Sequence, residues 1–584
     1  MALTSWLNTA WMWKCQPELS AFHRATRSVA QTQADVLQAM VAANRDTWFG
    51  RRFDFSGIAS AADFQKRVPL STSDDYQSAV ERIANGEPGV LTRERPRLLQ
   101  PTSGSSGAEK LIPYTATLQR QFQRGVATWI ADLFQNRPAV RMGRAYWSIS
   151  PQLGARRISN GGVPIGFDDD AAYLGTLERF ALARLLVAPS AIARVTDITA
   201  FRYCTLLKLL QAEDLSLISV WSPTFLSSLL SSLECCLEQI IDDIDRGSLR
   251  GAAALPAELT LALTAGGRPM PNRAQRLREI FKQSAPLHRK FAEVWPRLAL
   301  VSCWADATAA LPLNELRSYF PTVEIQPKGL LATEGFVSLP LCDQPAPALA
   351  LRSHFFEFIP SSPAPLTAKE PLPAVLAHEL DRGATYQVVL TTAGGLYRYP
   401  LHDEVEVVGF LNECPLLRFL GRANRTSDLV GEKLNEPHVR AVLEQAFRSQ
   451  QIAPVFALVA PVTGSPTYYR LYVQLPQHTR KIDSGQLRSQ VECGLSENPH
   501  YRYALGLGQL GPLAVCELDP FAECAWRVVE RRMIELGQRV GDIKPIAMGV
   551  GTHWPALLAE LEVPQQNTRN DSPSVPRTIP RAAH

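Results

Sequence analysis

The chain predicts an α/β fold divided into more than one domain, and three features of the sequence predict it. Apolar residues recur with helical spacing over 17–50 and 62–86, and from Arg144 onward short apolar runs such as "AYWSIS" alternate with turn signals such as "SNGGVP" (Ser159–Pro164); that is the pattern of strands joined by loops and helices. Two later segments, "LALVSCWADA" (Leu298–Ala307) and "VEIQPKGLLATEG" (Val323–Gly335), read as a buried strand and as a strand entering a polar turn. After "FLGRANRTSDLVGEKLNE" (Phe419–Glu436) a helix, strand, strand, helix order begins again, which marks a smaller C-terminal domain of roughly 140 residues.

Taken in order, the first element is a stripe of Leu3, Trp6, Leu7, Ala10 and Trp11 at i, i+3, i+4, i+7 and i+8 spacing, expected to dock on its own domain. A helix lying on a membrane surface is the alternative, and the missing Lys/Arg face counts against it. "STSDDY" (Ser71–Tyr76) offers hydroxyl and carboxylate caps to the second helical region. Between Phe225 and Ile241 the residues Phe225, Leu226, Leu229, Leu230, Leu233, Leu237, Ile240 and Ile241 share one helical face, expected in a core, although Phe225, Leu229 and Leu233 could also line an acyl pocket. Tyr386–Leu411 alternates apolar and polar residues on both sides of Gly394-Gly395, as antiparallel strands do. From about Pro564 the chain turns to Pro, Asn, Ser and Arg without apolar periodicity, the composition of a disordered tail. The expected division is therefore 1–421, 425–563 and a tail over 564–584.

Composition narrows the partners. With 46% hydrophobic residues the chain can bury a large core, and its 60 basic and 56 acidic residues include no basic run that would mark a nucleic-acid stripe or a polybasic anchor. Ten cysteines show neither a C-x-x-C pair nor metal-ligand spacing with histidine, so reduced thiols in a cytoplasmic protein are expected. The first basic residue is Lys14 and no run reaches ~18 apolar residues, so neither a secretory leader nor a transmembrane segment is expected.

The first stretch with chemical content is "PTSGSSGAEKLIPYT" (Pro101–Thr115). Gly104 and Gly107 let a backbone come close to a ligand, Ser103, Ser105 and Ser106 bring hydroxyls suited to phosphate oxygens, and Lys110 brings a positive charge. A plain Gly/Ser connection has the same composition. The stretch is neither a Walker A loop, which would need glycine where Glu109 stands, nor a G-x-G-x-x-G dinucleotide loop.

"TSGSSGAEK" resembles the phosphate-binding signature of the adenylate-forming superfamily. With it run "ERIANGEPGVL" (Glu81–Leu91), "GGVP" (Gly161–Pro164), "WPRL" (Trp295–Leu298), "LLATEG" (Leu330–Gly335), "FFEFIP" (Phe355–Pro360), "TTAGGLYRYPLHDEVEVVGF" (Thr391–Phe410), "FLGRANRTSD" (Phe419–Asp428) and "GDIKP" (Gly541–Pro545). This ordered series resembles the auxin-responsive acyl acid amido synthetases, the Gretchen Hagen family, in a bacterial-type member, and it covers about residues 40 to 550.

The resemblance implies an adenylate-forming fold: a large N-terminal domain of β-sheets, flanking helices and a β-barrel-like part, with a small mobile α/β lid at the C-terminus. It implies ATP and Mg2+, with the Ser103–Gly107 loop and Lys110 at the phosphates, the Thr333 hydroxyl on a phosphate and Glu334 holding the metal. A carboxylate is a hard oxygen ligand suited to that ion; a helix-start carboxylate is the alternative reading of Glu334. Asp403 corresponds to the aspartate accepting from the ribose hydroxyls, which suits an acceptor-only group. Its neighbour His402 points to the opposite strand face and is taken as structural or surface. Arg422 corresponds to an arginine reaching ribose or phosphate, and Lys544 to the lid lysine serving the α-phosphate and the attacked carboxylate. One departure stands out: Leu330 occupies the place where relatives put an adenine-stacking tyrosine. The implied activity is a ligase that converts a carboxylic acid to acyl-AMP and then to an amide with an amine, usually an amino acid, the enzyme acting as a monomer. An ester- or thioester-forming enzyme on the same fold, or an acyl-binding protein without catalysis, are the rivals.

Overall fold

The computed structural model describes residues 2–102, 110–148, 157–166, 184–252, 255–264, 268–306, 309, 312–361, 373–422, 426–477, 479, 482–536, 538 and 543–563. The tail expected over 564–584 lies outside them. The N-terminal helical region is more broken than its periodicity predicts, forming helices Ala2–Ala25, Val29–Asn44 and Trp48–Arg52. Threonines mark both breaks: Thr26 Oγ1 donates to the His23 carbonyl at 2.8 Å, and Thr47 Oγ1 accepts from Gly50 N at 2.9 Å as an N-cap. The stretch 62–86 divides into Ala61–Arg67 and Ser73–Ala84, with Pro69 between them unable to continue a helix. The expected capping by "STSDDY" is present, since Asp75 accepts from Thr72 N at 2.7 Å and from Thr72 Oγ1 at 2.8 Å.

The first helix docks as expected, but through a face rotated from the predicted stripe: Trp11 stays in it, its ring 5.8 Å from that of Phe134 and 6.2 Å from that of Trp147. Asn8, Cys15, Leu19 and Phe22 are buried against the long helix Ala116–Asn136 and its surroundings, while Leu3 and Trp6 are exposed. A polar lock sets this rotation: the Asn8 amide donates to the carbonyls of Arg141 and Gly143 at 2.9 and 2.8 Å, and burying those groups unpaired would cost more than exposing an indole.

Strands β1 (Leu98–Thr102) and β2 (Lys110–Tyr114) form an antiparallel hairpin, completed by β4 (Arg157–Ile158) and β5 (Pro164–Ile165). A parallel sheet of β3 (Arg144–Trp147), β6 (Leu215–Ser219), β7 (Leu300–Cys303) and β8 (Glu324–Pro327) runs in the order β3-β6-β7-β8. Helices cover both of its faces, as parallel sheets require: Trp129, Leu133, Leu217 and Leu300 share one cluster, and Ile218, Val301, Phe201 and Leu277 the other. The face predicted over Phe225–Ile241 is carried by two helices, Pro223–Ser231 and Leu233–Arg246. Ser231 and Ser232 hydroxyls at the junction donate to the carbonyls of Ser228 and Leu229 at 3.0 and 2.7 Å, competing with the backbone ladder. Phe225, Leu229 and Leu233 are 2%, 0% and 3% exposed inside this cluster. They are core residues, which corrects the reading of them as a pocket lining.

A seven-stranded antiparallel sheet follows, in the order β12-β11-β13-β14-β15-β10-β9, from β9 (Ser338–Leu339), β10 (Ala348–Leu349), β11 (Phe355–Pro360), β12 (Val375–Leu376), β13 (Thr385–Thr391), β14 (Tyr399–Leu411) and β15 (Cys414–Arg422). The β13–β14 hairpin turns at Gly394-Gly395 as predicted. Gly395 has φ +98°, and a Cβ on Gly394 would stand 2.6 Å from the Pro113 carbonyl oxygen, so this turn presses directly on β2. Beyond β15, the short pair β16 (Thr426–Ser427) and β17 (Leu434–Asn435) leads to helix Glu436–Ser449 and a sheet of β18 (Phe456–Val462), β19 (Thr467–Gln474) and β20 (Leu510–Leu518). This part buries its own apolar clusters. Its helix Ala525–Glu535 also meets the large part, where Glu530 pairs with Arg202 at 3.0 Å and accepts from Ser228 Oγ at 3.1 Å. Among the described residues no helix is long and apolar enough to cross a membrane.

Candidate active site

The carboxyl end of β7, the turn after β8, the start of β14 and the end of β15 converge at the carboxyl edge of the parallel sheet, the usual location of a ligand crevice in an open α/β sheet. Residues Ser103, Gly104, Ser105, Ser106 and Gly107 lie outside the described residues. Their flanks are described: Thr102 and Lys110 are register partners across the hairpin. The loop between them therefore leaves and rejoins one pair of neighbouring positions, and Lys110 acts electrostatically on His402 at the start of β14.

The turn carrying Thr333 and Glu334 is held from several directions. Gly335 N donates to the Ala332 carbonyl, Ala332 N to the Gly335 carbonyl, and the buried Tyr114 hydroxyl to the Thr333 carbonyl at 2.8 Å. This turn is not a helix start, so the helix-cap reading of Glu334 does not apply. Phe336 N donates to His354 Nε2 at 2.9 Å, which leaves Nδ1 of His354 as the donor to Gln121 Oε1 at 3.1 Å. The same Gln121 oxygen accepts from Ala393 N at 3.1 Å, so one amide ties the Glu334 turn to the Gly394 turn. Gln121 and His354 carry no motif that the sequence reading could use; only their place between two turns makes them supports of the site.

Burial holds His354 neutral and lowers its pKa to about 3 from 6.5. The unfolded chain therefore binds a proton in that interval that the folded chain does not. Stability from this site is complete above about pH 6.5 and is withdrawn as the pH falls toward 3. We expect His354→Gln, which keeps a donor and an acceptor, to lose less of its urea midpoint between pH 7.5 and pH 5 than the wild type; equal losses would remove His354 from the acid-sensitive set.

Four of the expected residues come together here. Asp403 is 1% exposed and pairs with Arg422, Oδ1 to Nε at 3.2 Å, across the β14–β15 register. Asp403 holds the Arg422 pKa above its usual value, and Glu334 adds to the effect. Burial pushes the Glu334 carboxyl upward, Arg422 and Lys544 pull it back, and Asp403 reinforces the rise. Glu334 is thus a partly buried carboxyl whose rise comes first from dehydration. Tyr399, raised to about 12 by burial and then by Glu334, stands at the same place. His402 is exposed on the opposite face of β14 from Asp403, as its position predicts. Lys544 Nζ lies 5.0 Å from the Trp304 ring centroid and 5.9 Å from that of Phe419, so the C-terminal part already presents this lysine to the end of β7 and to Glu334. Leu330 is 8% exposed and belongs to the large core cluster.

The arrangement fits a nucleotide. Two cations from separate segments, Arg422 and Lys544, act on Glu334 beside Asp403, and Asp403 meets Arg422 through Oδ1, leaving Oδ2 as an acceptor suited to a diol. A carboxylate that burial has stripped of water is a hard oxygen ligand of the kind a divalent cation takes up.

Two family models and several known proteins match this chain. The model of the GH3 family N-terminal domain matches residues 18–325, and that of the GH3 family central domain matches 348–422. The chain is 23% identical to indole-3-acetic acid-amido synthetase GH3.3 of Arabidopsis thaliana, covering 84% of this chain and 85% of that protein. It is 24% identical to jasmonoyl–L-amino acid synthetase JAR4 of Nicotiana attenuata, covering 79% and 82%. The solved structure of AtGH3.15 acyl acid amido synthetase in complex with 2,4-DB superposes with a TM-score of 0.80 over 94% of this chain and 96% of that one, at 21% identity.

Proposed function

Because this chain belongs to the GH3 family, we propose that it is an ATP-dependent acyl acid amido synthetase, and the observation that carries the reading is the convergence of Asp403, Arg422, Glu334 and Lys544 at one crevice. In the first half-reaction an oxygen of the substrate carboxylate attacks the α-phosphorus of ATP, the bond to the β-phosphate oxygen breaks, and acyl-AMP and pyrophosphate result. In the second, an amine nitrogen attacks the acyl carbon, AMP leaves with the former carboxylate oxygen, and the amine loses a proton to give the amide. An amino acid is the proposed amine, and the L-amino acid named for JAR4 is the model for it.

Both substrates of the first step are anions, so the protein's task is positioning and charge stabilisation. Asp403 orients the ribose, Arg422 holds Asp403 and reaches toward the ribose or phosphate, and Lys110 with the Ser103–Gly107 loop meets the outer phosphates. Glu334 would hold Mg2+, which supplies further positive charge to the phosphates when bound. Lys544 arrives from the C-terminal part, which we propose to be a lid over residues 425–563 turning about Gly421–Asn424; Gly421, at φ +144°, has a conformation open to glycine. Closure then brings in the lysine and keeps water from the mixed anhydride. A cytoplasmic monomer is the proposed setting.

A pyrophosphate-release screen against carboxylic acids, with mass detection of conjugates formed from an amino acid panel, tests the proposal. We expect release that needs acid, ATP and a divalent cation together, and products weighing acid plus amine less water. Acyl products formed without ATP, or esters and thioesters in place of amides, would overturn it.

A further inference from the structure

A second lysine at the same edge of the parallel sheet has no role in the chemistry above. Lys328 follows β8, and its Nζ lies 4.9 Å from the ring centroid of Trp221 and 5.3 Å from that of Trp129, donating to Ser219 Oγ at 2.7 Å. Among the described residues no carboxylate pairs with it, and burial lowers its pKa to about 8. Ser219 is register partner to Trp147 on one side and Ser302 on the other, and Ser302 to Gln326. The hydroxyls of Ser302 and Ser148 are buried without a hydrogen-bond partner among the described residues. Trp221 and Trp304 face each other at 5.9 Å, tilted by 38°. Lys328 stands at the first of these rings and Lys544 at the second.

An ammonium group drawn out of water needs a counter-charge. Indole faces return part of the hydration lost, but they do not neutralise the group. An apolar acid entering the crevice would strip away more water and raise the cost, whereas an anion at that end would remove it.

We propose that the acid activated by this protein carries a second anionic group, and that Lys328, with Ser219 behind it, receives that group across the Trp221–Trp304 wall from Lys544. The substrate class is a flat dicarboxylate, aromatic or unsaturated. This inference rests on the ligase reading and selects among its substrates; Lys328 is a specificity residue for the distal group and takes no part in bond making.

The test uses the full chain and two matched pairs, terephthalate against 4-methylbenzoate and 4-carboxycinnamate against 4-methylcinnamate. For each, kcat/KM of pyrophosphate release is compared in the wild type, Lys328→Met and Lys328→Arg. We expect the wild type to prefer the diacid of at least one pair about tenfold or more, Lys328→Met to lower that ratio at least tenfold, and Lys328→Arg to retain most of it. A ratio does not depend on how much of the variant folds. A wild type preferring the monoacids, or a Lys328→Met that shifts both members alike or only the KM for ATP, would overturn the inference and leave the ligase standing. Quenching of tryptophan fluorescence by the diacids provides a readout without turnover. If no acid releases pyrophosphate, quenching by diacids that Lys328→Met abolishes would sustain the anion site while the ligase reading falls, and quenching unaltered in the variant would overturn both.

Discussion

Lys544→Ala should lower acid-dependent pyrophosphate release by about 10²-fold or more, the cost of removing one preorganised donor aimed at developing charge. The lysine is placed to exert that effect. It lies over Trp304 and Phe419, both from the large part, and its charge reaches Glu334. Its backbone belongs to a segment at the far end of the chain, and the Arg202–Glu530 pair and the Ser228–Glu530 hydrogen bond hold the two parts together without it. Folding should therefore be little changed, and ATP should still bind through the Asp403 and Arg422 side of the crevice. The expected signature is a fall in kcat for adenylation with a smaller change in the KM for ATP. Hydrolysis or aminolysis of acyl-AMP supplied from outside should suffer less, because the α-phosphate has by then already been attacked. Unchanged pyrophosphate release would remove Lys544 from the mechanism.

The second large effect concerns stability. Glu357 and Arg398 form an ion pair at 3.0 Å with side chains 1% and 8% exposed, in the wall that positions β11 against the β13–β14 hairpin. The guanidinium also donates to the carbonyls of Gln65 and Val68 at 3.0 and 2.7 Å, and Gln65 Nε2 donates to Glu357 at 2.9 Å. Arg398 reaches this position with φ +49°, an uncommon backbone conformation for a side chain of its size. Glu357→Ala leaves that buried guanidinium without its carboxylate, and breaking such a pair from one side costs about 3–5 kcal/mol. We expect a clear fall in the denaturant midpoint of the large part, and Arg398→Met should show a fall of similar size. The double variant should cost less than the two single costs together, since the residues share partners. Strict additivity would mean that the pair does not act as a unit.

The resemblance, and not the residues taken singly, pointed to the residues that the structure brings together. The resemblance carried by "ATEG", "HDEVEVVGF" and "GDIKP" singled out Glu334, Asp403 and Lys544, whereas the alternation around Gly394-Gly395 by itself marked the β13–β14 hairpin. The helical regions were legible in kind but not in extent. Thr26, Thr47, Pro69 and the Ser231-Ser232 pair break them through hydrogen bonds and ring sterics that an apolar period does not register. The rotation of the first helix was misread for a related reason, because one buried asparagine amide outweighed the exposure of Trp6 and Leu3.

What the order of residues determined here is therefore local: which segments are strands, where turns demand glycine, and which charged groups are available. Periodicity, backbone freedom and formal charge act over a few residues and survive without knowledge of the rest of the chain. Only the tertiary structure decided that Gln121 joins two turns, that His354 stays neutral, that Glu334 is dehydrated and that Lys328 lies between indoles with no carboxylate partner among the described residues. These are properties of distance and dehydration between segments far apart in the chain, and packing alone sets both.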